Sequence, residues 1–460
     1  MLATQMAIVL TMSTSAGAQE NAFKIKVTVL YNFGGKKAGP RYPQGFIAQG
    51  RDGNLYSTTP YGGSYNDGTV YKVTPAGQLT VLDDLRTCRG ASGLTLGTDG
   101  DFYGTSTCDG NGYGLVFKTT SAGKMATLYD FSGQNYDAYP HAPPIQARDG
   151  NFYGTTAGDD YGNGGTVYKM TPSGDESTLF KFDRTDGAAP ADPLIQATDG
   201  SFYGTTSSGG KSGACEQYGC GTIFKLTPKG HLTVLHNFGA DDGFYPADPL
   251  IQGSDQNFYG TAQYGGPNAL GVVFKITPKG KFALLHIFKG GSDGDSPDAA
   301  LVEATDGSFY GLGGAGGQHN DGVIYKITPG GGYSVIYSFD GTNGLAPDCA
   351  LVQHTNGKLY GVALEGGSYN YGTFYSVDLG LGPFVSLVST AGQVGRSIEI
   401  LGQGFTGTTG VSFNGTSAKF NVASDTYLTA TVPAGATTGF VTVATSAGKL
   451  KSNRKFQVLQ

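Results

Sequence analysis

The sequence predicts an all-β protein, a seven-bladed β-propeller closed by its own N-terminal strand and followed by an immunoglobulin-like β-sandwich. Three observations predict it. First, a motif of the form Asp-Gly-x-Phe-Tyr-Gly recurs with its tyrosine at Tyr56, Tyr103, Tyr153, Tyr203, Tyr259, Tyr310 and Tyr360. The spacings of 47, 50, 50, 56, 51 and 50 residues fall in the range of propeller blades and far exceed a β-helix rung. Second, each copy resolves into four short runs of strand character, as in Pro193–Gln196, Phe202–Thr206, Thr222–Thr227 and Leu232–Phe238. Third, the two ends of the array complement each other. Phe23–Phe33 reads as a fourth strand without its first three, whereas the last copy stops after a third strand at Thr373–Val377. A ring explains why the strand count is completed across the termini, because closure leaves no sheet edge free.

The composition agrees. There are 77 glycines, no tryptophan, 28 Tyr and 26 Phe, a mixture suited to short strands joined by tight turns. The net charge of -6 is small and both signs are scattered. No basic face is available to neutralise phosphates, which excludes nucleic acid as the expected partner.

Taken in chain order, residues 1–18 read as a signal peptide. Ala7–Met12 is a short apolar run, and Ala16-Gly17-Ala18 suits cleavage before Gln19. Export to a secreted or cell-surface location is therefore expected, and no later stretch reaches the ~18 apolar residues that span a bilayer. The propeller occupies 23–378, a Leu-Gly-Leu-Gly-Pro linker 379–383, and the sandwich 384–460.

Within each copy, the first and second strands join through Thr-Asp-Gly-Ser and the third and fourth through Pro-Lys-Gly in the Phe202 copy, both short hairpin turns. Asp52, Asp99, Asp149, Asp199 and Asp306 of the first turn are turn residues. Glycine follows the motif tyrosine in six copies, with Ser57 the exception, where a missing side chain permits close backbone approach. Lys72, Lys118, Lys169, Lys225, Lys275 and Lys326 share one third-strand position, replaced by Ser376 in the last copy, and read as scaffold.

Among five cysteines, Cys215 and Cys220 share one loop, and a local disulfide suits them better than a metal. Cys88 and Cys108 flank a hairpin that turns near Thr98–Asp101, which suits a second bridge.

The run Leu-Ile-Gln-Ala-Thr-Asp-Gly-Ser-Phe-Tyr-Gly-Thr-Thr, followed by Gly-Gly and Gly-Thr-Ile-Phe-Lys-Leu-Thr-Pro at 194–228, resembles the repeat of the choice-of-anchor tandem repeat GloVer-containing family. The resemblance covers about three quarters of the chain and implies a secreted or surface bacterial protein with a C-terminal attachment module, with no catalytic assignment. From Pro383 onward, Ile400-Leu401-Gly402-Gln403-Gly404-Phe405, Val411-Ser412-Phe413-Asn414-Gly415 and Thr431-Val432-Pro433-Ala434-Gly435 resemble the IPT/TIG immunoglobulin-like domain, which implies an interaction or spacing module.

Because the two tight turns of each copy share one face, the long connections gather on the other, and that face is the expected binding surface. It carries Tyr61, Tyr113, Tyr161, Tyr218, Tyr264 and Tyr369, rings with a hydrogen-bonding tip that suit a glycan or a surface protein, against a packing role as blade caps. Asp186, Asp242 and Asp293 stand in oxygen-rich Asp-Gly turns of the kind that contribute to calcium sites. None supplies a full ligand set, so a turn role comes first and no cofactor is expected. Asp159 with Asp160, and His319 with Asp321, are the only chemically suggestive departures from the repeat, and neither forms a catalytic constellation. The expected function is thus a non-enzymatic binding or adhesion protein, with a secreted carbohydrate-active lyase or hydrolase on the same face as the alternative.

Overall fold

The repeat folds as antiparallel meanders because its two central strands are apolar on both faces. Phe202–Thr206 is buried throughout, and Thr222–Leu226 is buried except at Lys225. Strands of this kind need a partner on each side. A two-residue first strand, Ile195–Gln196, and a six-residue fourth strand, Leu232–Asn237, supply them. The first strand is shorter than its sequence suggests, two residues here and in each of the other six repeats. The computed structural model describes residues 25–459 apart from 87–90, 108–111, 135–136, 159–163, 212–214, 216–218, 247 and 349–350. The candidate signal peptide, Cys88 and Cys108 lie outside those residues.

Among the described residues the repeats form seven such four-stranded sheets, numbered here 1 to 7. Their first strands are Ala48–Gln49, Thr95–Leu96, Ile145–Gln146, Ile195–Gln196, Ile251–Gln252, Val302–Glu303 and Val352–Gln353. Sheet 7 takes its fourth strand from the start of the chain, where Lys26–Asn32 pairs antiparallel with Thr373–Asp378. In all seven sheets the third and fourth strands slip register at one bulge, as between Ile223 and Phe224, which twists the outer strand.

Neighbouring sheets are joined by the Phe-Tyr pair of the motif. Tyr203 stacks on Phe258 of the next sheet with ring centroids 4.0 Å apart, and Tyr56–Phe102, Tyr103–Phe152, Tyr153–Phe202 and Tyr259–Phe309 repeat the contact. Such pairs contribute about 0.5–1.5 kcal/mol beyond the area they bury. Sheets 7 and 1 replace the phenylalanine by leucine, and there Leu359 packs with Tyr310 and Leu55 with Tyr360. A polar seam runs beside this apolar one. The turn N–H of one sheet donates to the first-strand glutamine of the next, as in Thr98 to Gln146 (2.8 Å), Arg148 to Gln196 (2.9 Å), Thr198 to Gln252 (3.0 Å) and Thr305 to Gln353 (3.0 Å). Thr355 of sheet 7 donates in the same way to Gln49 of sheet 1 at 3.0 Å. Sheet 2 has Leu96 at this position, and the Arg51 guanidinium bridges the gap by donating to the carbonyls of Thr98 and Asp99.

The recurrent lysine and the recurrent turn aspartate meet. Asp199 Oδ2 accepts from the Tyr203 hydroxyl at 2.9 Å and from Lys225 Nζ at 2.8 Å, and the pattern repeats at Asp255, Tyr259 and Lys275 and at Asp306, Tyr310 and Lys326. The lysine is an ion-pair partner as well as an aliphatic stem. Gly204 leaves the space that the Phe224 ring fills, since a Cβ there would stand 2.7 Å from it.

Residues Ser386–Leu459 form a separate unit of two sheets, four strands in one and five in the other, around a shared core that includes Ile398, Ile400, Phe405, Phe413, Leu428, Val441 and Phe456. It sits on the short-turn face. Thr355 Oγ1 donates to the Gly402 carbonyl and accepts from Gln403, Thr426 donates to the Arg51 carbonyl, and the Arg51 guanidinium lies 4.7 Å over the Tyr427 ring. The opposite face, with the long connections, is left open.

Candidate functional site

Six of the long connections, those entering sheets 1 and 3 to 7, are built the same way. In each, the residue before the proline adopts a left-handed backbone: Tyr42 (φ 54°), Tyr139 (60°), Ala189 (51°), Tyr245 (59°), Ser296 (49°) and Ala346 (50°). None is glycine, so each conformation costs roughly 1–2 kcal/mol and must be held by its surroundings. It is. The Ala189 N–H donates to Gly164 of the preceding sheet and its carbonyl accepts from Ser207, and Tyr42 N–H donates to Tyr371 of sheet 7. The loops after the second strands are tied down as well, through bridges such as Ala188–Ser208, Phe244–Tyr264 and Leu345–Glu365.

A proline follows each of these residues, and in four successive connections an aspartate comes within two residues of that proline. Asp192 and Asp248 precede Pro193 and Pro249, whereas Asp298 and Asp348 follow Pro297 and Pro347. These carboxylates, from the entries to sheets 4, 5, 6 and 7, converge. Asp248 is 7 % exposed and accepts from Thr261 Oγ1 at 2.7 Å. The other three are half-buried, within reach of water. Asp298 accepts from Gln263 Nε2 at 2.7 Å and Asp348 from Gln44 Nε2 at 3.3 Å. Asp192 accepts from Thr205 Oγ1 at 3.4 Å.

Burial and mutual repulsion set their protonation. Asp192 is pushed up to about 8 by desolvation and by the charge of Asp298, and Asp348 to about 8 by desolvation and the same neighbour. Asp248 is raised well above the usual carboxylate range, first by burial and then by Asp298 and Asp192, and Asp298 is raised by burial. The cluster therefore holds fewer than four negative charges at neutral pH and keeps carboxylic acid protons available. His141 stands at the matching entry to sheet 3, and burial lowers its pKa.

Tyr245 and Tyr264 rise beside this well. They are 44 % and 41 % exposed with ring centroids 6.1 Å apart, and Asp298 and Asp192 help burial raise the Tyr245 hydroxyl pKa. Of the tyrosines expected on this face, Tyr264 is thus placed near the carboxylates. Tyr113 and Tyr369 are exposed on the rim, with their rings over Gly133 and Gly35, and Tyr61 is half-buried against Tyr42. Tyr161 and Tyr218 lie outside the described residues, as do Asp159 and Asp160. Tyr245, Gln44, Gln263 and the four aspartates were not singled out by sequence reasoning. Asp298 and Asp348 lie three residues before the strand leucine and Asp192 and Asp248 two, so no repeat position is uniformly acidic.

The structure does not bring the calcium candidates together. Asp186 accepts the Asp183 N–H in its own turn, Asp242 pairs with His236 at 3.0 Å, and Asp293 with His286 at 3.0 Å. Among the described residues no group of three or more His, Cys, Asp or Glu is arranged to hold a metal ion. The two histidines are structural, stacked on Phe282 and Tyr333. His319 is exposed. Cys215 and Cys220 form a disulfide with Cα atoms 5.2 Å apart.

The profile of the Gloeobacter/Verrucomicrobia repeat matches residues 7–218 and again 213–427. The chain belongs to that repeat family. Its match runs past the seven sheets into the C-terminal unit. No curated protein matches this Gloeobacter/Verrucomicrobia repeat chain. Among solved structures it is similar to a catalytically inactive virginiamycin B lyase from Staphylococcus aureus with quinupristin, at 13 % identity and TM-score 0.52, over 77 % of this chain and 100 % of that one. It is similar also to a fungal alcohol oxidase of the AA5 family in complex with copper, at 13 % identity and TM-score 0.50, over 96 % of this chain and 100 % of that one. Such neighbours are β-propeller proteins, and at this identity the likeness is one of fold. No described helix of this repeat protein is long and apolar enough to cross a membrane.

Proposed function

We propose that this chain is an exported binding or adhesion protein at the cell surface or in the medium, built as a seven-bladed β-propeller closed by its N-terminal strand. In this reading an immunoglobulin-like domain of the IPT/TIG type spaces or docks it from the short-turn face, and the long-connection face engages a glycan or a protein. The observation that carries the reading is the convergence of Asp192, Asp248, Asp298 and Asp348 beneath the exposed rings of Tyr245 and Tyr264. Carboxylates accept hydrogen bonds from sugar hydroxyls or from ammonium groups, and tyrosine rings cover the apolar faces of sugars.

One observation favours a second reading, a secreted carbohydrate-active enzyme on the same face. Asp192 and Asp348, with pKa values raised to about 8, carry protons at neutral pH that a general acid needs. A glycan array followed by a turnover assay on each hit separates the two. Binding without product supports the first reading and product formation the second. Absence of any glycan hit, together with no retained partner from a surface-protein extract, overturns both.

A further inference from the structure

One residue breaks the repeat at the point where sheet 7 meets sheet 1 and the C-terminal unit docks. In every sheet the turn between the first and second strands opens with an N–H that donates to the carbonyl four residues on. In six sheets that N–H belongs to a glycine or an alanine: Gly50, Gly97, Ala147, Ala197, Gly253 and Ala304. In sheet 7 it belongs to His354, whose imidazole is 1 % exposed.

The polar partners of that ring fix its protonation. Nε2 lies 2.9 Å from the carbonyl oxygen of Gly53, in the matching turn of sheet 1, and the Asn356 N–H is directed at Nδ1 from 3.1 Å. A carbonyl only accepts and an amide N–H only donates, so the proton sits on Nε2 and Nδ1 keeps its lone pair. The ring is therefore neutral. A second proton, on Nδ1, would point at the Asn356 N–H and put a charge where water does not reach. Burial accordingly lowers the His354 pKa from 6.5, despite the bond to Gly53. The charged groups on the elements around it are engaged elsewhere. Asp52 accepts from Asn54 and Tyr56, Arg51 faces Glu399 and donates to the carbonyls of Thr98 and Asp99, and Lys358 pairs with Asp378. The Tyr360 ring meets the imidazole edge to face at 5.5 Å, and the linker 379–383 carries no charge.

The neighbours of His354 are the seat of the C-terminal unit. Thr355 Oγ1 accepts from Gln49 of sheet 1 and from Gln403, and donates to the Gly402 carbonyl, while the Thr355 carbonyl accepts the Phe384 N–H. Gly53, which the imidazole holds, lies against Thr426, since a Cβ there would stand 2.8 Å from the Thr426 methyl. One ring thus ties the turn of sheet 7 to that of sheet 1 directly beneath the docked unit.

We propose that His354 is an acid-sensitive latch, which when neutral joins sheet 7 to sheet 1 and holds the seat of the C-terminal unit, and when protonated loosens both. Its contribution is present above the ordinary histidine value of 6.5 and is lost as pH falls through the lower folded value. The latch lies on the opposite face from the aspartate cluster and stands or falls independently of what that face binds.

The test is hydrogen exchange of the full chain at about pH 7.5 and about pH 5, with rates corrected for the intrinsic effect of pH. On acidification the parent is expected to lose protection several-fold in the segments carrying Thr355, Phe384 and Gly402. His354→Ala copies the residue of sheets 3, 4 and 6, and His354→Gln keeps a donor for Gly53 that does not titrate. Whatever their protection at the higher pH, both are expected to lose no more of it at the lower. The carboxylates titrate in parent and variants alike, so the difference isolates the histidine. A titration followed by the imidazole nitrogen shifts in NMR is expected to find His354 in the Nε2–H form and still neutral at pH 6.5. The proposal is overturned if the parent keeps its protection at the lower pH, if the two variants lose as much as the parent, or if His354 titrates at the ordinary value.

Discussion

The Tyr203 hydroxyl donates to Asp199 Oδ2 at 2.9 Å, and Lys225 Nζ meets the same oxygen at 2.8 Å from the neighbouring strand. Sheet 7 has Asn356 and Ser376 where the others have Asp and Lys, so the charged pair is lost as a pair and Asn356 Nδ2 donates to the Tyr360 hydroxyl instead. Asp199→Ala is therefore expected to cost about 1–3 kcal/mol in urea unfolding, because it strands the tyrosine hydroxyl and the ammonium together. The double change Asp199→Asn with Lys225→Ser, copying sheet 7, is expected to cost less than Asp199→Ala alone.

The same contacts set an acid limit. Hydrogen bonds from Lys275, Asn257 and Tyr259 outweigh the desolvation of Asp255 and bring its pKa down to about 2. A carboxylate depressed in the folded state stabilises it above the unfolded value near 4 and loses that contribution as pH falls toward 2. Melting temperature is expected to drop steeply below pH 4, and less steeply in Asp255→Asn.

The aspartate well acts in the opposite direction. Asp192 and Asp348, raised to about 8, bind more protons folded than unfolded between about pH 4 and 8, so their contribution is full below 4 and is lost as pH rises through 8. Melting temperature is expected to rise when pH is lowered from 9 to about 5. Asp248→Asn, which removes one charge from the cluster, is expected to flatten that rise and to stabilise the protein at pH 9. A pH-independent melting temperature over this window would show that the carboxylates do not converge.

Asp137, 7 % exposed between sheets 2 and 3, repeats the principle on a smaller scale. Burial and the charge of Glu176 raise it to about 7, and its Oδ1 and Glu176 Oε1 are both buried without a hydrogen-bond partner. Asp137→Asn is expected to stabilise by about 1 kcal/mol at pH 8 and to have little effect at pH 5, read by thermal melts at the two values.

Closure at Thr373–Asp378 rests on Lys26–Asn32 and, on the other side, on the Thr355–Gln49 bond. Gln49→Ala is expected to cost about 1–2 kcal/mol by leaving the Thr355 N–H unmet. Removing residues 1–33 exposes an apolar strand edge and is expected to yield an oligomerising protein without a single cooperative transition, visible by gel filtration and urea titration.

What the sequence made legible is what the repeat enforces. The strand runs, the glycine that accommodates Phe224 and the pairing of the opening segment with the last strand all follow from periodic apolar positions. The lysine–aspartate contact stayed hidden because the two residues, 26 apart at Lys225 and Asp199, meet only through strand register. The acidic well stayed hidden for a related reason. Its four carboxylates are separated by about 50 residues each and sit out of phase with the repeat, and only the fold of the connections assembles them.

The most direct test of the long-connection face as the binding surface is a glycan array probed with the parent chain and with Asp248→Asn/Asp298→Asn. The account predicts that the hits of the parent are lost in the double variant while its melting temperature at pH 7 is unchanged or higher. Hits that persist undiminished in the folded double variant would contradict it.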